Sequence, residues 1–138
     1  MITYRSDLEG VDWEVLKQDL IADGFHNGRT AAQLRLSFEH SAVVAMGYDG
    51  NRCIANGRLL SDGVGNAYVI DVWTQSAYRR QGIGRRIMQM LLTAVPGQHV
   101  YLQTGDAVGF YENLGFVEQP QGMSLIVGEY LQNATRGA

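Results

Sequence analysis

Hydrophobic and polar positions alternate along this chain with periods that change from segment to segment, and each period predicts an element. Ile2 to Arg5 read as a short first strand. Val11, Val15, Leu16 and Leu20 fall on one face of a helix over about 11–22, with Asp12, Glu14 and Asp19 on the other, and Gly24 stops it. Phe25-His26-Asn27-Gly28-Arg29 is a loop, and Thr30 is a good N-cap for a second helix through about Phe38. Ala42 to Tyr48 and Arg52 to Leu60 predict an antiparallel hairpin across Asp49-Gly50-Asn51. Ser61 to Asn66 then turns the chain into the β-branched and aromatic strand Tyr68 to Thr74. Ile83, Ile87, Met88, Leu91, Leu92 and Val95 predict a long helix, ended by Pro96-Gly97. His99 to Gln103 must run parallel to Tyr68–Thr74, because a helical crossover joins them. Asp106 to Leu114 predicts a short helix capped by Asp106 and closed at Gly115. Phe116 to Glu118 with Met123 to Tyr130 predicts a last hairpin, and the tail from Gln132 is expected to fray.

Composition narrows the class. A chain of 138 residues, 46% hydrophobic and 18% charged, is expected to form one domain over 1–138, burying roughly 68% of its unfolded surface. No apolar run approaches the ~20 residues of a membrane span, and the N-terminus has no apolar signal core, so an uncleaved cytoplasmic protein away from membranes is expected. Cys53 is the single cysteine, so no internal disulfide forms, and a plain buried thiol is expected. No metal is implied.

The net charge of −3 argues against a general nucleic-acid binder. The positive charge is nevertheless concentrated: Arg79, Arg80, Arg85 and Arg86 surround Gly82 and Gly84, whereas Lys17 is the only lysine. This cluster lies where a strand passes through a glycine turn into a helix. Such a helix end offers unpaired N–H groups and about half a positive charge, and the glycines let an anion reach the backbone. The turn has the chemistry of a phosphate site. It lacks the Gly-Lys-Ser/Thr end of a nucleotide P-loop, since Arg85 and Arg86 follow Gly84. It also lacks the third small residue of a dinucleotide fingerprint, because Ile87 stands there.

What remains, Arg79-x-x-Gly82-x-Gly84, resembles motif A of the GNAT superfamily of N-acetyltransferases, and Phe110-Tyr111-Glu112-Asn113-Leu114-Gly115-Phe116 resembles that family's second signature. The motif-level resemblance covers about Ala67 to Phe116. It implies a GNAT fold of the α/β (α+β) class, with a mixed, mostly antiparallel sheet of six or seven strands, a splayed parallel pair and about four helices. It also implies acetyl-coenzyme A (acetyl-CoA) as co-substrate and the amine of a small molecule as acceptor. Acidic candidates near the site favour a cationic acceptor, and a peptide or protein N-terminus is the other class left open. Dimers through the C-terminal strands are frequent in the family, which makes a homodimer an expectation.

Residue by residue, the resemblance places the coenzyme's diphosphate on Arg79, Arg80, Gln81, Gly82, Ile83, Gly84 and Arg85, and its pantetheine arm on the backbone of Val72, Trp73 and Thr74. Tyr111 takes the position of the acid that protonates the leaving thiolate; a tyrosine, ordinarily titrating near pH 10, still holds its proton at pH 7. Thr104 stands where many relatives have a cofactor-contacting asparagine, and Ser76 where proline is common. Phe25, His26, Asp62 and Tyr68 become acceptor-pocket candidates. Relatives that carry a glutamate on the fourth strand have Tyr68 and Ile70 as its counterparts here, so the base is open. Asp71 is the nearest carboxylate, with three equal roles: base, anchor for a cationic acceptor, or holder of the loop arginines. A water relay is a further route. Two other functions compete: a non-catalytic acyl-CoA-binding sensor or partner module, against which Tyr111 speaks, and nucleic-acid binding by the arginine cluster.

Overall fold

The computed structural model describes residues 1–131, so the tail expected to fray lies outside the described residues. The elements run β1 (Ile2–Arg5), α1 (Trp13–Ala22), α2 (Ala31–Glu39), β2 (Val43–Asp49), β3 (Arg52–Ser61), β4 (Asn66–Thr74), a single 3-10 turn (Ser76–Tyr78), α3 (Ile83–Thr93), β5 (His99–Tyr101) and α4 (Val108–Glu112). The chain divides into two compact units, Met1–Gln103 and Thr104–Ala138.

In the first unit the strands lie in the order β1-β2-β3-β4-β5. Neighbours are antiparallel except β4 and β5, which are parallel as the helical crossover requires. The helices start where the sequence supplies caps. The Asp12 carboxylate accepts the Val15 N–H at 3.1 Å. Thr30 and Gln33 cap one another reciprocally, through bonds of 3.1 and 2.8 Å. Leu16, Leu20, Leu34 and Phe38 of α1 and α2 then pack on Val44, Met46, Tyr48, Cys53 and Trp73. Cys53 is buried, its thiol donating to the Ala55 carbonyl at 3.3 Å, and burial pushes its pKa up to about 12.

On the other sheet face α3 buries Ile83, Ile87, Met88 and Leu91. It can come so close because β3 offers a glycine there: a Cβ on Gly57 would lie 2.8 Å from Ile87 Cγ2 and 3.2 Å from Leu91 Cδ1. Opposite Gly57, β4 carries an extra residue. Asn56 pairs with Trp73 and Arg58 with Ile70, so the intervening stretch bulges at Asp71, which adopts a left-handed φ of 59°. Sheet alternation fails here, as it also does between β2 and β3, where Gly47 pairs with Ala55 but Tyr48 with Cys53.

The architecture is the expected mixed sheet with a parallel pair, and the described residues form four helices and five strands, not six or seven. The predicted final hairpin is absent: residues 116–130 form no strand. Val117, Met123, Leu125 and Val127 are between 78% and 96% exposed, so neither face of the segment is buried, and β propensity without a packed face does not make a strand. A second correction concerns α4, which Asp106 does not cap. The Thr104 hydroxyl takes the Ala107 N–H instead, at 3.0 Å.

Candidate functional site

The turn between β4 and α3 is shaped by two left-handed residues, Arg80 at φ 65° and Gly82 at φ 80°. Nothing would lie within 4 Å of a Cβ on Gly82, so glycine is needed there for the dihedral and not for space. The first bond of α3 runs from the Arg86 N–H to the Gly82 carbonyl at 3.1 Å. The N–H groups of Ile83, Gly84 and Arg85 precede it and have no carbonyl of their own helix to meet, which leaves them, with the helix dipole, for an anion.

The four arginines of the turn divide into two pairs. Arg79 folds back, its Nε donating to the Thr74 carbonyl at 3.0 Å and its Nη2 lying 3.7 Å from Asp23. Arg86 stacks over the Tyr4 ring at 5.4 Å. Arg80 and Arg85 are exposed, as is Gln81. Asp23, just past α1, also accepts the Trp73 indole N–H at 2.9 Å and the Ser76 backbone N–H at 3.0 Å. Burial by itself would raise this carboxyl; the bonds from Ser76 and Trp73 and the charge of Arg79 outweigh that and hold it below the ordinary value.

The edge of β4 leading to the turn is open. Its parallel ladder with β5 ends at Tyr68 and Tyr101. Beyond Tyr68, among the described residues, no strand pairs that edge, whereas the opposite edge of Trp73 and Thr74 pairs with Asn56 and Ala55. This splay leaves a strip of backbone beside Val72 to Thr74 able to pair with an extended ligand.

Asp71 is gripped at the bulge. Arg29 donates to both its carboxylate oxygens, 3.0 Å each, and Arg58 Nε donates to Oδ2 at 2.6 Å. The three side chains are only 8%, 12% and 12% exposed. The arginines that Asp71 holds thus come from the α1–α2 loop and β3, not from the glycine turn. The remaining acceptor-pocket candidates fall around this point or away from it. Tyr68 is half-buried on β4. Asp62 is occupied by its own turn, accepting the N–H groups of Val64, Gly65 and Asn66, which hold its pKa at about 2. His26 Nδ1 accepts the Gly28 N–H, and Phe25 is exposed. The cavity beneath their loop, bordered by Lys17, Leu20 and Leu34, is about 10 Å³, room for about one water. Sequence reasoning missed Arg58 and Asp23. For Arg58 there was a signal: it is the one charge between Cys53 and Ser61 of β3, such a cation needs a buried partner, and Asp71 was the one anion in the next strand.

In the second unit the Phe-Tyr signature has a physical meaning. The Gly115 N–H bonds the Glu112 carbonyl and the Phe116 N–H bonds the Tyr111 carbonyl, 3.0 and 3.1 Å, with Gly115 at φ 98°. This is a Schellman cap, and its usual apolar contact is present: the Phe116 ring lies 5.7 Å from Tyr111, edge to face. Phe110 holds Tyr111 from another side at 5.0 Å. Burial, with the Asp106 charge adding to it, pushes the Tyr111 hydroxyl above its ordinary pKa, so it keeps its proton at neutral pH.

The sequence profile of the Acetyltransferase (GNAT) domain matches residues 39–118. A rice protein, Oryza sativa serotonin N-acetyltransferase 2, chloroplastic, is 33% identical over 84% of this chain and 62% of its own length. The chain spans between 50% and 65% of the length of the curated relatives it matches. Among solved structures, a GNAT-family acetyltransferase of Streptococcus pneumoniae is 30% identical, covers 94% of this chain and 100% of its own, and superposes with a TM-score of 0.78. A predicted acetyltransferase of Clostridium acetobutylicum, crystallised with acetyl-CoA, shares the fold at 18% identity and a TM-score of 0.70, over 91% of this chain and 96% of its own. The chain belongs to the GNAT acetyltransferase family.

Proposed function

We propose that this chain transfers the acetyl group of acetyl-CoA to the primary amine of a small molecule. The observation that carries the proposal is the glycine turn: unpaired amides at the start of α3, with Arg80 and Arg85 exposed beside them, next to a β4 edge that has lost its strand partner. The turn fits a diphosphate and the edge fits the amide-bearing arm of the same coenzyme. Acetyl-CoA, when bound, supplies the thioester. In this reading the backbone N–H groups near Val72 and Trp73 polarise its carbonyl, an effect worth about 2.7–4 kcal/mol per donor. Direct attack by the neutral amine would form the C–N bond and break the C–S bond; Tyr111 would protonate the leaving thiolate, and the proton given up by the amine nitrogen, carried by water, would restore the tyrosine. The name of the rice relative specifies N-acetylation of serotonin, which supports a small amine as acceptor.

The test is thiol release from acetyl-CoA across an amine panel. Tyr111→Phe is expected to lower kcat by about 10²–10⁴-fold while leaving acetyl-CoA affinity nearly unchanged. Full activity in that variant removes the proton-donor role. Coenzyme binding without thiol release on any amine replaces the enzyme with an acyl-CoA-binding module.

A further inference from the structure

The cluster at the β4 bulge is electrically unbalanced. Arg29 and Arg58 bring two positive charges to the single carboxylate of Asp71, and all three side chains are at most 12% exposed. Among the described residues no second carboxylate completes the set. Asp23 is spent on Trp73, Ser76 and Arg79, Asp19 on Arg52, and Glu39 on Arg35. A buried excess charge is costly unless something neutralises it.

Donors are in excess as well. Arg58 gives Nε to Asp71 and Nη1 to the Ser37 carbonyl and the Ser41 hydroxyl, while its Nη2 has no acceptor among the described residues. Asn56, two residues earlier and therefore on the same face of β3, has a buried Nδ2 with no partner. Beside this row the face is apolar: Leu60 pairs with Tyr68 and Arg58 with Ile70 across β3 and β4. Ser41, which Arg58 reaches, and Leu60 also border an open surface depression with Glu39, His40, Ala42 and Ser61.

From the two buried arginines that share one carboxylate, one of them bonded to Ser41 at the rim of this depression, we infer that the acceptor carries a carboxylate near its amine, bound by Arg58 next to Arg29. The inference rests on the acetyltransferase reading above and names the substrate class of that site. A guanidinium with an unused edge is preorganised for a carboxylate, and the Leu60–Tyr68–Ile70 strip suits an apolar side group. The one anion a cationic acceptor would meet at the depression is Glu39, already paired with Arg35, since Asp71 is saturated by arginine and Asp62 by its own turn.

Matched amines that differ only in the carboxylate decide it: phenylalanine against phenethylamine, and leucine against isoamylamine. Calorimetric binding to the acetyl-CoA-loaded full chain is expected to favour the carboxylate member by about 10- to 100-fold, the range of a charge-assisted hydrogen bond. Thiol release is expected to show the same preference in KM. Arg58→Lys, checked for an unchanged circular-dichroism spectrum, is expected to bring the preference to within about twofold. Equal or tighter binding of the decarboxylated members overturns the inference, and their turnover at the same time leaves acetyl transfer standing. Selective binding of the carboxylate members without thiol release supports the anion site and removes the enzymatic reading.

Discussion

Two arginine-rich places in this molecule use the same side chain in opposite ways. At the glycine turn, Arg80 and Arg85 stand in solvent around unpaired amides. At the β4 bulge, Arg29 and Arg58 are buried on one carboxylate, at distances of 2.6 to 3.0 Å. The first cluster is contiguous in sequence and leaves its charge available. The second is assembled from a loop and two strands, its partners 42 and 13 positions apart, and spends most of its charge internally. A charge run in sequence therefore identifies where charge is left facing solvent. Isolated charges in apolar strands identify where the protein's own backbone is being held.

The contrast can be broken in order of expected effect. Asp71→Ala leaves two arginines buried without a counter-charge and is expected to cost about 3–5 kcal/mol in denaturant unfolding. Gly57→Ala, which drives a methyl into Ile87 and Leu91, is expected to cost about 1–3 kcal/mol by the same measurement. Arg80→Ala and Arg85→Ala should each change stability by less than about 0.5 kcal/mol. Acetyl-CoA affinity, read by calorimetry, should nonetheless fall about 10-fold or more for each, and less at high salt.

The smallest effect belongs to Asp62. Its folded pKa is depressed to about 2, so its contribution to stability is fully present above about pH 4 and is lost as pH falls toward about 2. In Asp62→Asn that part of the acid dependence should vanish from the unfolding midpoint measured between those pH values.

Much of this was legible in the sequence because it is local. The Thr30 cap, the Asp49-Gly50-Asn51 hairpin and the α3 stripe each depend on residues within a few positions of one another, and the structure places them accordingly. The glycine turn was legible for the same reason. What escaped was long-range. Alternation puts Asp71 on the face opposite Tyr68 and Ile70 unless a bulge intervenes, and the bulge that does so lies opposite Gly57, whose need to be small comes from α3 about thirty residues later. Asp23 looked like an ordinary helix end and serves Trp73 and Ser76 about fifty positions away. The C-terminal segment failed in the other direction: Leu125-Ile126-Val127 has the composition of a strand and, among the described residues, pairs with none.

The single carboxylate of Asp23 has one further consequence. It touches both an indole and an arginine of the glycine turn, so whatever draws Arg79 toward a bound diphosphate also alters the polarity around a buried fluorophore. Coenzyme loading should therefore be visible as a change in tryptophan emission that Trp73→Phe abolishes and Trp13→Phe does not, giving the protein an optical gauge of occupancy that needs no label.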